Sequence, residues 1–384
     1  MEKQKQKQQS VNEILPLELI ERILLRVPVK QLGRLRCVSK LWCSLISDPH
    51  FVESHLHNSP APTHVCLFDS DSTEGHFVHL EELFHDKFPL KAVSLPFKKK
   101  PPSEFRVMGS CRGFVLLNRK PHFLVVWNPL TGSSKRISYS CIVPCWWRFW
   151  LSYYARLYGF GYDVSRDDYL VVLAAQYSDG QQRLDCFSLR TNSWINFDSA
   201  ISKVSLGPFD WKSCGLFLNG SIHWLSASLN KPYCETLLIF DLKERSFSKI
   251  SLPEQLVLRD SPNLAVLGGC LAIYSTDYVK HKTEIWVMRE YKVHSSWTLY
   301  EIPGAYSNFY PLCLSNDSEI IALASTSGYR PLIKFIKYNI RGELLQQYTR
   351  SIHNPNHCLY TESLLLLPND SKPKDNNKKK KNVM

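Results

Sequence analysis

The chain has 384 residues, 44% of them hydrophobic and 21% charged, the composition of a globular protein with room for one large or two ordinary domains. Its most apolar window, Cys141–Ala155, is broken by Pro144 and Arg148 and falls short of the ~20 apolar residues that a bilayer-crossing helix needs, so no membrane span is expected. Half of the +12 net charge sits on the two ends, +2 on Met1–Ser10 and +4 on Asn369–Met384; the +6 left for the body is a weak electrostatic argument for nucleic acid.

Residues 1–13, rich in Lys and Gln with no apolar stretch, are expected to be disordered. Residues 14–56 carry the spacing of short helices. Leu17, Ile20, Ile23, Leu24 and Val27 recur at helical intervals behind Pro16, and Pro28 ends the run by disfavouring the α region at Val27. Leu32, Leu35 and Val38 form a second set, and Ser39 is placed to cap a third helix carrying Leu41, Trp42, Leu45 and Ile46, which stops at Asp48-Pro49. Three helices this short bury little surface alone, so an apolar face is left for a partner or a neighbouring domain.

From His64 the period changes. Runs of four to eight β-formers, among them Phe114–Asn118, Tyr169–Leu173, Leu237–Phe240 and Ile285–Met288, alternate with Gly, Asn, Asp, Ser and Pro. A unit of a small-residue turn, an apolar strand and an aromatic-flanked strand recurs, with matching aromatics at Trp127, Phe187, Phe240, Trp286 and Tyr338, 60, 53, 46 and 52 residues apart. A period near 50 with about four strands marks propeller blades. Thr63–Pro96 supplies a further partial blade, and Tyr360–Leu367 is expected to be the last strand that closes the ring and removes its exposed edges. The fold class read from these patterns is a small helical domain (14–56) followed by an all-β, propeller-like domain of about six blades (63–367), with a disordered basic tail (368–384).

Candidate chemistry is sparse. The twelve Cys are scattered, with no CxxC pair and three residues between Cys141 and Cys145, so no metal site is expected and the thiols read as reduced ones of a cytoplasmic or nuclear protein. HExxH and GxSxG are absent, and no catalytic residue or cofactor is assigned. The Gly159-Phe160-Gly161 run lacks the third Gly and the following helix of a phosphate loop and reads as a tight strand turn. Asp167-Asp168 and Glu81-Glu82 read as solvated turns, and His223 as a hydrogen-bonded strand residue. The Cys141–Tyr154 stretch holds Trp146, Trp147, Phe149 and Trp150 where the repeat places a connection. It is the candidate substrate-binding patch, since Trp and Tyr dominate interface hot spots; the competing reading folds these aromatics inward.

The run from Leu15-Pro16 through Trp42 to Phe51 resembles the F-box. Ser110-Cys111-Arg112-Gly113-Phe114, Trp127-Asn128-Pro129-Leu130-Thr131-Gly132 and Gly159-Phe160-Gly161-Tyr162-Asp163 resemble signatures of the kelch-like F-box-associated domain of plant F-box proteins. The resemblance implies a non-catalytic substrate-recognition subunit of an SCF-type cullin-RING ubiquitin ligase. A Skp-type adaptor, and through it cullin and RING subunits, would be held by Leu15, Pro16, Ile20, Ile23, Leu24, Pro28, Leu32, Val38 and Trp42, while the β domain would hold a protein target. A propeller enzyme acting on sugars and a basic nucleic-acid binder are the alternative classes.

Overall fold

The computed structural model describes residues 15–58, 64–68, 74–84, 91–97, 105–119, 123–139, 156–176, 182–201, 214–227, 234–257, 262–304, 306, 308–315, 318–325, 333–350 and 356–368. Contacts divide the chain into two units, a helical one that also takes in Glu362–Leu365 and a β unit.

Helix α1 (Leu17–Leu24) starts behind Pro16, and α2 (Val29–Leu35) behind Pro28, each proline standing where no intrahelical amide is needed. Ser39 caps α3 (Lys40–Ser47), its Oγ accepting from the Trp42 amide at 3.1 Å. The third helix stops at Asp48-Pro49, as its sequence predicts, but the chain stays helical beyond it. The Asp48 carboxylate accepts from the His50 and Phe51 amides, and a fourth helix, α4 (Pro49–Asn58), follows. An Asp-Pro pair is as good a helix start as a helix stop, and here it is both. His55, on α4, is 2.8 Å from the Val27 carbonyl, and Arg36 donates to the Ile46 carbonyl; these bonds tie the helix ends together.

The β unit is six antiparallel four-stranded sheets. Blade 1 contains β1 (His64–Phe68), β2 (Glu74–His79) and β3 (Lys91–Ser94), and its inner strand comes from the far end of the chain. Blade 2 is β4 (Phe105–Cys111), β5 (Phe114–Arg119), β6 (Phe123–Trp127) and β7 (Ser134–Ser138). Blade 3 is β8 (Arg156–Asp163), β9 (Asp168–Gln176), β10 (Gln182–Ser188) and β11 (Ser193–Asn196). Blade 4 is β12 (Leu216–Leu218), β13 (Ser221–Ala227), β14 (Cys234–Asp241) and β15 (Ser246–Ser251). Blade 5 is β16 (Asn263–Leu267), β17 (Cys270–Asp277), β18 (Lys282–Met288) and β19 (Trp297–Pro303). Blade 6 is β20 (Asn308–Ser315), β21 (Glu319–Ser325), β22 (Ile333–Asn339) and β23 (Leu344–Arg350). The closing strand, β24 (Asn356–Tyr360), pairs with β1 from His64↔Tyr360 to Phe68↔Asn356.

Ring closure therefore uses residues four to seven positions earlier than expected. Thr361–Leu367 is not strand: Ser363 bends the chain by accepting from the Leu365 amide at 3.0 Å, and Glu362–Leu365 belong to the helical unit.

All five repeat aromatics lie on the third strand of their blades. Trp127, Phe187, Phe240 and Tyr338 each precede a residue whose side-chain oxygen caps the following turn: Asn128, Ser188, Asp241 and Asn339. In blade 5 the residue before the turn is Met288, and Trp286 lies two places earlier on the same sheet face. A short β-turn with φ above zero at both central residues joins the first two strands of blades 2, 4 and 5: Arg112-Gly113, Asn219-Gly220 and Gly268-Gly269, the geometry that matches strand twist.

Blades 4 and 5 are linked through a buried histidine. His223, fully buried on β13, lies 3.1 Å from the Leu216 carbonyl and 2.8 Å from the Tyr291 hydroxyl. Burial, against the effect of the Leu216 carbonyl, lowers its pKa to about 4. The folded state thus binds this proton less tightly than the unfolded chain, whose histidine titrates near ~6.5. The stabilisation is complete above that value and is lost as pH falls toward about 4. Melting temperatures measured across this window should fall with acidification, and the fall should be shallower in a His223→Gln variant. A parallel decline in both proteins would rule out His223 as a source.

Candidate functional site

Two surfaces are candidates, one on each unit. On α1, Glu18, Glu21 and Arg22 share one side and the apolar residues form a single broad face on the other. Ile20 and Leu24, one turn apart, are buried, whereas Leu19 and Ile23, also one turn apart, are 45% and 52% exposed. The apolar face of a helix is normally enclosed, yet here one flank of that face is uncovered. Leu17 and Val38, the latter 60% exposed, add to the uncovered apolar surface of this unit.

The nine expected adaptor residues divide accordingly. Pro16, Ile23, Pro28 and Val38 are exposed, and Leu15 and Trp42 are partly so. Ile20, Leu24 and Leu32 are 0–2% exposed and offer a partner no surface. They form the interior that the helices build, because a small helical unit spends its best-spaced apolar residues on itself. Leu17, one of the periodic apolar residues, and Leu19, which is outside that set, also belong to the exposed apolar surface. The signal for Leu19 was available, since it stands one turn before Ile23.

On the β unit, the two ends of the ring differ. One end carries the connections between first and second strands and between third and fourth strands, which are short turns except for residues 80–90 and 289–296, and there the chain enters at His64 and leaves at Tyr360. The opposite end holds the strand ends that flank the longer intervals of sequence between blades, residues 138 and 156, 196 and 216, and 251 and 263. The expected substrate patch, Trp146, Trp147, Phe149 and Trp150, lies outside the described residues; the strands it joins, β7 and β8, present residues 138 and 156 at this second end. The β17–β18 turn is at the same end. Its Asp277 carboxylate accepts from the amides of Val279 and Lys280, which holds Val279 90% exposed beside Tyr278 at 55%. No periodicity or motif in the sequence marks this apolar tip.

The three sequence signatures of the β unit turn out to be joints. Arg112, held at φ 48°, lies over the Tyr162 ring at 4.0 Å and donates to the Tyr169 hydroxyl, joining blades 2 and 3. Asn128 is fully buried and accepts from the Leu130 and Thr131 amides. Gly159 and Gly161 are not in a turn, as expected, but within β8. A Cβ at Gly159 would lie 2.7 Å from Ile222 of blade 4, and one at Gly161 would lie 2.5 Å from Phe217; glycine is needed for close approach of two blades.

Asp163 completes the joint. Its buried carboxylate takes Arg166 at 3.0 Å and Arg245, from blade 4, at 2.9 Å. Burial alone would raise its pKa, but the bonds from Ser165 and Arg166 and the charge of Arg245 outweigh it and hold the carboxyl below its usual range. Asp168 is likewise no solvated turn residue: it is buried and accepts from the Ser188 hydroxyl and the Arg190 amide. Asp167 accepts from the Tyr162 hydroxyl at 2.6 Å. Both carboxylates are engaged in structure. Among the described residues no group of three or more His, Cys, Asp or Glu side chains is arranged to hold a metal ion, and no helix is long and apolar enough to cross a membrane.

Residues 65–366 match the model of the F-box associated beta propeller domain, and residues 13–54 match that of the F-box domain. The chain belongs to the F-box proteins with an F-box-associated β-propeller domain. Among its relatives in Arabidopsis thaliana, F-box protein CPR1 is 30% identical, the match covering 80% of this chain and 79% of that one. An F-box/kelch-repeat protein is 30% identical over 82% of this chain and 86% of its own. F-box/WD-40 repeat-containing protein 1 is 28% identical over 74% and 68%.

Proposed function

We propose that this F-box protein is the substrate-recognition subunit of an SCF-type ubiquitin ligase, itself without catalytic activity. Its helical unit would bind a Skp-type adaptor, and through it cullin and RING subunits; its propeller would bind a protein target. The observation that carries this reading is the uncovered apolar surface of Leu17, Leu19, Ile23 and Val38 on the unit that matches the F-box. Apolar surface of this kind, on a helix whose apolar face is already partly packed, marks a protein interface.

Target capture is assigned to the end of the ring whose strand ends flank the longer intervals of sequence. Most connections at the other end are short capped turns that leave little to vary, whereas long connections present side chains on a rigid scaffold. The exposed Tyr278-Val279 tip lies at this end, as do the strand ends at residues 138 and 156 that flank the Trp-rich run.

The test is a trap. Full-length protein carrying Ile23→Asp and Val38→Asp should accumulate targets that the unmodified protein delivers for turnover, as read by proximity labelling in the same cells. Adding Trp146→Ser and Trp147→Ser should remove most trapped targets without lowering the melting temperature, since losing a hot-spot aromatic typically weakens binding by roughly thirtyfold or more. Identical labelling and identical turnover with and without the helical substitutions would overturn the receptor reading. An unfolded Trp variant would place those aromatics in the core instead.

A further inference from the structure

Blade 1 is built from both ends of the β unit, and two cysteines face each other across that seam. In the β1–β24 pairing, Cys66 is directly opposite Cys358. Directly opposed residues of an antiparallel pair point to the same face, with Cα atoms about 4.5–5.5 Å apart; this lies within the ~4.4–6.8 Å range that a disulfide bridges. Both sulfurs are thiols, Cys66 fully buried and Cys358 half-buried. Both belong to one apolar cluster with Phe68, Phe77 and Tyr360.

We propose that Cys66 and Cys358 form an oxidant-driven disulfide that locks the propeller ring shut. A peroxide is the oxidant. The more accessible Cys358 sulfur attacks one peroxide oxygen, the O–O bond breaks, and the products are a sulfenic acid and water. The Cys66 sulfur then displaces hydroxide from that sulfenic sulfur; the S–S bond forms, the Cys66 proton leaves with the hydroxide as a second water, and two electrons from the thiol pair have reduced one peroxide. A thiol reductant reverses the link.

The position makes the bond consequential. Cys66 lies on the strand by which the chain enters the ring and Cys358 on the strand that closes it, so the closed loop runs through every blade. A cross-link stabilises chiefly by restricting the unfolded chain, more so for longer loops. Among the described residues, the other buried thiols, Cys111 and Cys186, lack such a facing partner. Burial pushes Cys111 and Cys186 up to about 12, and on their paired strands Cys111 faces Phe114 while Cys186 faces Val172 and Ile195.

The experiment treats the full-length protein with hydrogen peroxide, blocks remaining thiols, and maps peptides by mass spectrometry without reduction. A Cys66–Cys358 linked peptide is expected, about 2 Da lighter than the two thiol peptides together. The oxidised protein should melt roughly 5 °C or more above the reduced one, and the gain should vanish on reduction. Cys358→Ala should abolish both the link and the gain; should it fail to fold, Cys358→Ser, or the peptide map of the unmodified protein alone, decides. Sulfinic or sulfonic acid at Cys358 with no link, or a link from Cys358 to Cys111, would overturn the proposal. A link without any rise in melting temperature would overturn the locking role.

Discussion

A chain ending at residue 355 is expected to lose its cooperative propeller melt, while a chain ending at residue 368 should melt with the full-length protein. The shorter chain lacks β24, the inner strand of blade 1, and with it five paired positions along β1. It also lacks Tyr360, 2% exposed and with its ring 5.5 Å from that of Phe77, and the Leu359 carbonyl that accepts the Ser110 hydroxyl of blade 2. Removing one large buried aromatic side chain costs ~3–5 kcal/mol, and an opened ring adds two unpaired edges. Together these losses are comparable to the ~5–15 kcal/mol that stabilises a typical domain. Because the truncation also removes Glu362–Leu365 of the helical unit, Tyr360→Ala in the full-length chain is the matched control and should lower the melt on its own. Circular dichroism melts of the three proteins decide. Equal melting of the 355 and 368 chains would mean that the ring does not depend on its closing strand.

Ile23→Asp combined with Val38→Asp is expected to weaken adaptor binding by more than 100-fold with little change in the protein's own melting temperature. Both side chains are more than half exposed, so the folded chain alone loses little. In a complex, each substitution forfeits burial of apolar surface, which for a fully buried residue of this size amounts to ~1.5–3 kcal/mol. It also places a carboxylate where it has no partner. A hundredfold needs only ~2.8 kcal/mol. Leu24→Ala and Leu32→Ala should behave oppositely. These residues are fully buried, and their truncation should destabilise the helical unit by ~2–5 kcal/mol, weakening adaptor binding only through unfolding. Calorimetric titration beside thermal melts separates the two classes. Full adaptor affinity in the double Asp variant would remove the exposed face from the interface.

What the sequence made legible was whatever repeats or caps. The blades were readable because Trp127, Phe187, Phe240 and Tyr338 each stand just before a turn whose cap is built from a side-chain oxygen, so register and turn chemistry repeat together. Gly159 and Gly161 looked like a turn because glycine is the usual turn residue. Their real cause is Ile222 and Phe217 of the next blade, partners about 60 residues away that no local pattern shows. The closing strand was displaced for a similar reason. Tyr360–Leu367 is the more apolar run, but Ser363 bends it and part of it packs in the helical unit. On the helices, spacing marked the apolar residues but could not divide them: Leu19 and Ile20 are neighbours in sequence, and only the fold sets one outward and the other inward. The signatures that identify the family proved to be inter-blade joints, which is why they identify the fold and carry no information about the target.

The proposed role requires one chain to join an adaptor to a target, and its most direct measurement is size-exclusion chromatography with light scattering of the purified full-length protein mixed with a Skp-type adaptor. The predicted result is a single species with the mass of one copy of each, lost when Ile23→Asp and Val38→Asp are introduced. Separate elution of the two folded proteins at micromolar concentration would contradict it.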